Sequence, residues 1–232
     1  MKRIILASIT CLGFITQANA QDSGAFSAVV VTAKDPKAYV DTVKSNPTLF
    51  KTLGAIAAGQ CTIISGQDRP GQLYIWTAYP NAKSALKAST LYDPNRPAAN
   101  LAAQRDYMYS FTVIPIKPFA TIDPGYERAS RVKISSANLP AFVATSIKLE
   151  REIQAAGFTK FQNAILVPLG GGQREAGTIF IKSLMPDSES HGALIDAYFA
   201  GAAWGETYRK AMSLVDEVVN DQFEVCEQFY KG

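Results

Sequence analysis

The chain has 232 residues, 47% of them hydrophobic, with 23 Lys and Arg against 20 Asp and Glu. So close a balance lacks the basic excess that nucleic-acid binding requires, and three cysteines are too few to frame a small disulfide-built domain. The length and apolar content suffice for one large core or two small ones.

Residues 1–20 read as a cleaved secretory leader. Lys2 and Arg3 give a basic start, "IILASITCLGFIT" a short apolar run, and "ANA" (18–20) a small-x-small cleavage pattern. Thr10 before Cys11, and the apolar run beyond it, do not suit lipid attachment. Cleavage takes the basic count from 23 to 21 against 20 acidic residues, a net charge of +1. No second long apolar stretch follows, so the expectation is a soluble periplasmic or secreted protein with no membrane insertion and no nucleic-acid partner.

The rest of the chain is one unit written twice. "AVVVTAKDPKAYV" (28–40) lies over "RVKISSANLPAFV" (131–143) without a gap. Each is an alternating strand, then Asp35 or Asn138 as an N-cap, then a helix. Gly54 and Gly157 follow at the same offset, where left-handed helix ends are expected. "GQCTIIS" (59–65) matches "QNAILVP" (162–168) as a second strand. A glycine-rich connection leads to the third, "GQLYIWTAYPN" (71–81) against "GTIFIKSLMPD" (177–187). A helical stretch and a last strand complete each half, "YSFTVIPI" (109–116) against "DQFEVCEQF" (221–229). The class is α+β, two ferredoxin-like βαββαβ repeats at 21–116 and 128–232. The proline-bearing linker is 117–127. Pairing their open sheets face to face, with the edges closed into a barrel, buries both open faces and removes the exposed edges.

The stretch "LYIWTAYPNAKSALKAS" resembles the antibiotic-biosynthesis-monooxygenase type of dimeric α+β barrel, in which a Trp often closes the third strand before the second helix. Trp76 holds that position; Lys182 replaces it in the second half. That family usually builds its barrel from two chains, so the resemblance implies a fused version here.

Strand alternation sorts side chains between the two faces. Val29, Val31, Leu73, Ile75, Val132, Ile134, Ile179 and Ile181 are apolar in both halves and read as helix-packed. The other face is expected to line the barrel. It carries Phe26, Ala28, Val30, Tyr74 and Trp76 from the first half, and Arg131, Lys133, Phe180, Lys182 and Glu224 from the second. An aromatic wall facing a basic one suits a small aromatic or anionic ligand. The alternative is that the long side chains reach solvent or pair with Glu224.

No catalytic signature stands out. His191 is the sole histidine and reads as a surface residue at an exposed helix start, unlike the late-helix iron ligand of haem-binding relatives. The expectation is no cofactor and no metal. "GGGQREAG" (170–177) lacks a P-loop ending and reads as a flexible hairpin loop. Tyr198, Phe199 and Trp204 read as core, or as a lid. The prolines of "LYDPNRPAAN" (91–100) break the matching helix of the first half. Barrel closure sets Cys61 and Cys226 on neighbouring strands, which favours a bridge. Parity argues against it, with Gln60 and Thr62 turned inward and Cys61 outward.

Two functions remain open: a ligand-binding module, and, as the resemblance implies, a monooxygenase-like enzyme acting without a cofactor on an aromatic, polyketide-type substrate. A purely structural repeat would instead fill its centre with side chains.

Overall fold

A computed structural model describes residues 24–120 and 122–232. The leader read at 1–20 lies outside the described residues. The first half runs β1 (Ala25–Ala33), α1 (Pro36–Lys44), α2 (Pro47–Thr52), β2 (Ala57–Ser65), β3 (Gln72–Tyr79), α3 (Ala82–Ser89), α4 (Ala99–Ala102) and β4 (Arg105–Lys117). The second runs β5 (Gly125–Lys133), α5 (Leu139–Ala155), β6 (Gln162–Leu169), β7 (Ile179–Met185), α6 (Ser188–Phe199), α7 (Gly205–Met212) and β8 (Glu217–Lys231).

Local chemistry accounts for these boundaries. Asp35, Asn81 and Asp187 each accept a hydrogen bond from the backbone N–H three residues on, at 3.0, 2.9 and 2.7 Å, capping α1, α3 and α6. Asn138 does not cap in this way: its backbone is already helical and its side chain makes no capping bond. Gly54 and Gly157 take positive φ angles of 70° and 106° where the chain leaves each half's first helical segment, as expected. That segment is continuous in α5, but the first half divides it at Pro47, whose ring cannot continue the helix of α1.

The eight strands close in the order β1-β3-β2-β8-β5-β7-β6-β4, every neighbouring pair antiparallel. Each half contributes four strands, and the seams are β2 against β8 and β4 against β6. Among the described residues no strand is left with an open edge. The connection between halves spans 118–124, shorter than the expected linker. Lys117 belongs to β4, where its ammonium, 5% exposed, meets Glu150 at 2.7 Å and the Asn163 carbonyl at 2.8 Å.

Helices cover the outer face of the barrel. In the first half Val31, Tyr39, Val43, Phe50, Leu73 and Ile75 pack together. In the second, Val132, Phe142, Ile165 and Ile179 form one cluster, and Leu149, Ile153, Phe161, Leu194 and Trp204 another. Full burial of such a side chain contributes about 1.5–3 kcal/mol. No helix among the described residues is long and apolar enough to cross a membrane.

Candidate functional site

The inner face carries most of the side chains that alternation assigned to it. Phe26, Ala28, Val30, Tyr74, Trp76, Arg131, Phe180, Lys182 and Glu224 line a lumen cavity of about 100 Å³. Trp76 fits because its neighbour across the strand pair is Gly59, where a Cβ would overlap the indole and the Glu227 carbonyl. Phe26 meets Trp76 edge-on at 6.3 Å, and Phe111 stacks on Phe180 at 5.2 Å.

Lys133 does not join them. It ends β5 opposite Glu217, pairs with that carboxylate at 2.7 Å, and is half exposed beyond the barrel mouth. The "GGGQREAG" segment is the reason the mouth ends short of it. Rather than a free hairpin loop, it folds inward and buries Glu175, 1% exposed, against Arg131 at 3.4 Å. Arg174 anchors the loop to Asp68 at 2.5 Å.

The lumen is not basic. Lys182 donates to Glu224 at 2.5 Å, to Glu127 at 2.7 Å and to the Tyr74 hydroxyl at 2.8 Å. Tyr74 in turn donates to Glu224 at 2.6 Å, as does Gln222 at 2.9 Å. Burial opposes the charge on Lys182, but the two carboxylates outweigh it and hold its pKa well above the ordinary lysine range. Burial likewise acts to raise Glu224; Lys182 and the donated hydrogen bonds more than offset it, and its pKa falls below the usual value. Glu127 has fewer partners, and there burial prevails and pushes the carboxyl up. With Arg131 held by Glu175, the cationic wall expected from the sequence is neutralised from within. Both lumen cations, Arg131 and Lys182, are thus already paired with carboxylates and leave no free charge for an anionic guest among the described residues.

Cys61 and Cys226 are directly paired across the β2–β8 seam, 4.1 Å apart at Cα, and form a disulfide. Cys61 faces the lumen with Ile63, so Gln60 and Thr62, which hydrogen-bond to each other at 2.9 Å, share the opposite face. The parity reading had these reversed. The four acidic and sulfur groups gathered here do not make a metal donor set as they stand: both sulfurs are spent in the bond and both carboxylates hold Lys182.

The larger space is elsewhere. Between the outer face of the second half's strands and α5, α6 and α7 lies a cavity of about 570 Å³. Its counterpart in the first half, under α3 and the proline-broken α4 segment, holds about 280 Å³. Phe142, Leu149, Phe161, Leu194, Tyr198 and Trp204 give the larger cavity apolar and aromatic walls, and Phe199, 80% exposed, stands at its margin. His191 lines it too. It is 2% exposed, not a surface residue, because the first turn of α6 lies against Tyr126 and Phe223 of the sheet. Nδ1 is 3.4 Å from the Tyr126 carbonyl, which only accepts, so the ring proton belongs there; Nε2 keeps its lone pair, 3.4 Å from Ser183 Oγ. Burial lowers the imidazole pKa and keeps it neutral. Two buried polar atoms on residues lining this cavity, Trp204 Nε1 and Asn163 Oδ1, have no hydrogen-bond partner among the described residues. The Asn163 amide is oriented by donation to the Ser146 carbonyl at 2.8 Å.

No family model matches the chain, and no curated protein matches it. Solved structures do. An anthrone oxidase-like protein is 9% identical, with 91% of this chain and 95% of that one covered and a TM-score of 0.53. A provisionally assigned monooxygenase of Lactobacillus acidophilus is 10% identical, with 90% and 95% covered and a TM-score of 0.55. A chlorite dismutase variant of Candidatus Nitrospira defluvii, solved with cyanide, is 8% identical, with 89% and 92% covered and a TM-score of 0.52. The fold is that of the dimeric α+β barrels. Here one chain supplies both halves of the barrel.

The expectation of no cofactor is corrected by these likenesses. Chlorite dismutases share the barrel, one of them bound to cyanide, an anion that ligates iron, so the fold gives no ground for excluding haem. The second-half cavity fits the body of a haem: Phe142, Leu149, Phe161 and Leu194 give it apolar wall, and His191 would offer a neutral nitrogen to the iron. Such an iron centre would supply redox chemistry. Arg128, which also lines this cavity, is held in a bidentate pair with Asp221 at 2.6 and 3.0 Å.

Sequence reasoning missed Glu127, which it assigned to the linker, and the cavity under the second half's helices. A buried partner for Lys182 was signalled only by Glu224.

Proposed function

We propose that this is an exported small-molecule-binding protein of the monooxygenase-like barrel type, whose ligand is a planar, oxygen-bearing polycyclic aromatic held in the second-half cavity. One observation carries the reading: an aromatic cavity of about 570 Å³ is bordered by Trp204 and Asn163, whose Nε1 donor and Oδ1 acceptor are both buried and unpartnered among the described residues. Leaving such groups unsatisfied costs about 1–3 kcal/mol each, which a ligand carbonyl and phenolic hydroxyl would recover. The neutral His191 imidazole, which lines the same cavity, is suited to accept a phenolic proton. The resemblance to an anthrone oxidase-like protein points to the same substrate class. The basic, apolar leader and the Cys61–Cys226 bridge support export to an oxidising compartment.

The test is calorimetric titration with anthrone, whose enol form is a tricyclic phenol, alongside an oxygen-uptake assay. Micromolar 1:1 binding that Leu194→Trp abolishes by filling the cavity supports the reading. Absence of binding, or binding indifferent to Leu194→Trp, overturns it; oxygen uptake distinguishes turnover from storage.

A second reading, haem binding, is favoured by the buried neutral imidazole of His191. Ferric haem should then give a 1:1 Soret shift that His191→Ala removes. A spectrum unaffected by that substitution rejects His191 as the ligand.

A further inference from the structure

We propose that Ser183 and His191 act as nucleophile and base on the wall of the second-half cavity, and that the protein cleaves small aryl esters by acyl transfer through Ser183. The choice of an aromatic substrate rests on the ligand reading above, but the reaction consumes water rather than oxygen.

The strand-to-helix turn brings the pair together. Ser183 lies in β7, and His191 falls in the first turn of α6, whose start Asp187 caps at 2.7 Å. Both line the cavity. Ser183 Oγ is 3.4 Å from His191 Nε2, its only hydrogen-bond partner among the described residues. The Tyr126 carbonyl holds the ring proton on Nδ1, so Nε2 presents a lone pair and the serine hydroxyl donates to it. Edge-on contacts with Tyr126 and Phe223, at 5.7 and 5.5 Å, fix the ring plane. A hydroxyl, an imidazole that accepts its proton and a third group orienting that imidazole are the parts of an activated nucleophile. Such hydrogen bonds are often long before substrate binds and shorten in the complex.

The neighbouring strands supply the rest. Ser183 pairs with Arg128 of β5 on one side and Asn163 of β6 on the other, and directly opposed residues share a sheet face. Arg128 lines the same cavity, its guanidinium held by Asp221. A fixed cation on that face favours the negative oxygen of a tetrahedral intermediate. Burial, and after it the charge of Arg128, keeps His191 neutral and able to take a proton. Phe142, Leu149, Phe161 and Leu194 offer apolar wall to the ester's ring.

In the reaction Ser183 Oγ bonds to the acyl carbon and its proton passes to His191 Nε2. The bond from the acyl carbon to the aryl oxygen breaks, and that oxygen leaves with the proton from Nε2. Water then attacks the acyl-serine and gives a proton to Nε2; the acid departs as Oγ takes that proton back.

The test is hydrolysis of 1-naphthyl acetate by the disulfide-bonded protein, with labelling by phenylmethylsulfonyl fluoride mapped by peptide mass spectrometry. Saturable hydrolysis is expected, with Ser183 as the sulfonylated residue. Ser183→Ala and His191→Gln should each lower kcat about a hundredfold or more, and the double variant no further, since the two groups act as one unit. No saturable hydrolysis, a label on another residue, or Ser183→Ala hydrolysing at the parental rate overturns the proposal. The label on the parent protein decides if a variant fails to fold. Anthrone binding without ester cleavage overturns the esterase alone; a labelled, ester-cleaving Ser183 without anthrone binding overturns the anthrone reading alone.

Discussion

Replacing Lys182 with Met keeps most of the stem's volume and removes the ammonium that holds two buried carboxylates. The lost contacts are those to Glu224, Glu127 and the Tyr74 hydroxyl, at 2.5, 2.7 and 2.8 Å. Glu224 is 0% exposed and Glu127 5%, so neither can turn to water for compensation. Breaking a buried pair from one side costs about 3–5 kcal/mol. A second route gives a similar figure. The variant's cheapest escape is to protonate one carboxyl, and holding a proton on a glutamate of ordinary pKa near 4.3 at pH 7 costs about 3.7 kcal/mol. The expected loss is therefore about 4 kcal/mol at pH 7. Because the folded variant carries one more proton than its unfolded form, its deficit shrinks by about 1.4 kcal/mol for each unit the pH falls, to about 1 kcal/mol at pH 5. Urea unfolding with the disulfide intact, followed by tryptophan fluorescence at both pH values, measures it. A deficit under about 1 kcal/mol at pH 7, or one unchanged at pH 5, would refute the argument; changing Glu127 and Glu224 to Gln as well should recover most of the loss.

Gly59→Ala should destabilise by about 1–3 kcal/mol and alter tryptophan emission, because the new methyl overlaps the Trp76 ring and the Glu227 carbonyl; unchanged emission and stability would contradict that packing. Changing Cys61 and Cys226 together to Ser should cost about 5 kcal/mol in the chain-entropy model, given their separation of 165 residues, as read by urea midpoints against the oxidised parent. His191 holds a proton less readily when folded than when unfolded, so the unfolded chain binds protons first as the pH drops. The stability attached to this residue is full above about pH 6.5 and is lost as the pH falls from there through the folded pKa. Between pH 7.5 and 5.5 the urea midpoint of the parent should therefore fall further than that of His191→Phe, and equal falls would contradict a buried neutral imidazole.

Much of the lumen was legible because alternation along a strand is local: Tyr74 and Trp76, Phe180 and Lys182, two apart, had to share a face. The duplicated unit was legible for the same reason, its caps and glycines repeating with its strands. What was not legible depends on three-dimensional placement. Lys133 has the right parity but lies past the point where the inward-folded loop brings Glu175 to Arg131. Gln60 and Thr62 resembled a polar inner pair, yet their mutual hydrogen bond lets them stay on the outer face and frees Cys61 to meet Cys226. Glu127 sat among prolines and a glycine and read as linker. The second-half cavity left no trace, since Leu149, Ile153 and Leu194 carry the pattern of a filled core whether or not their side chains meet. His191 followed from that same blindness, because its burial depends on how α6 leans on the sheet.

The account's central claim is that the ligand sits beneath the helices of the second half. A crystal structure of the anthrone-soaked protein addresses it most directly. The account predicts density between α5, α6, α7 and the outer strand face, with a ligand oxygen within hydrogen-bonding distance of Trp204 Nε1. Density in the lumen instead, or a helix–sheet space closed by repacking of its own side chains, would contradict it.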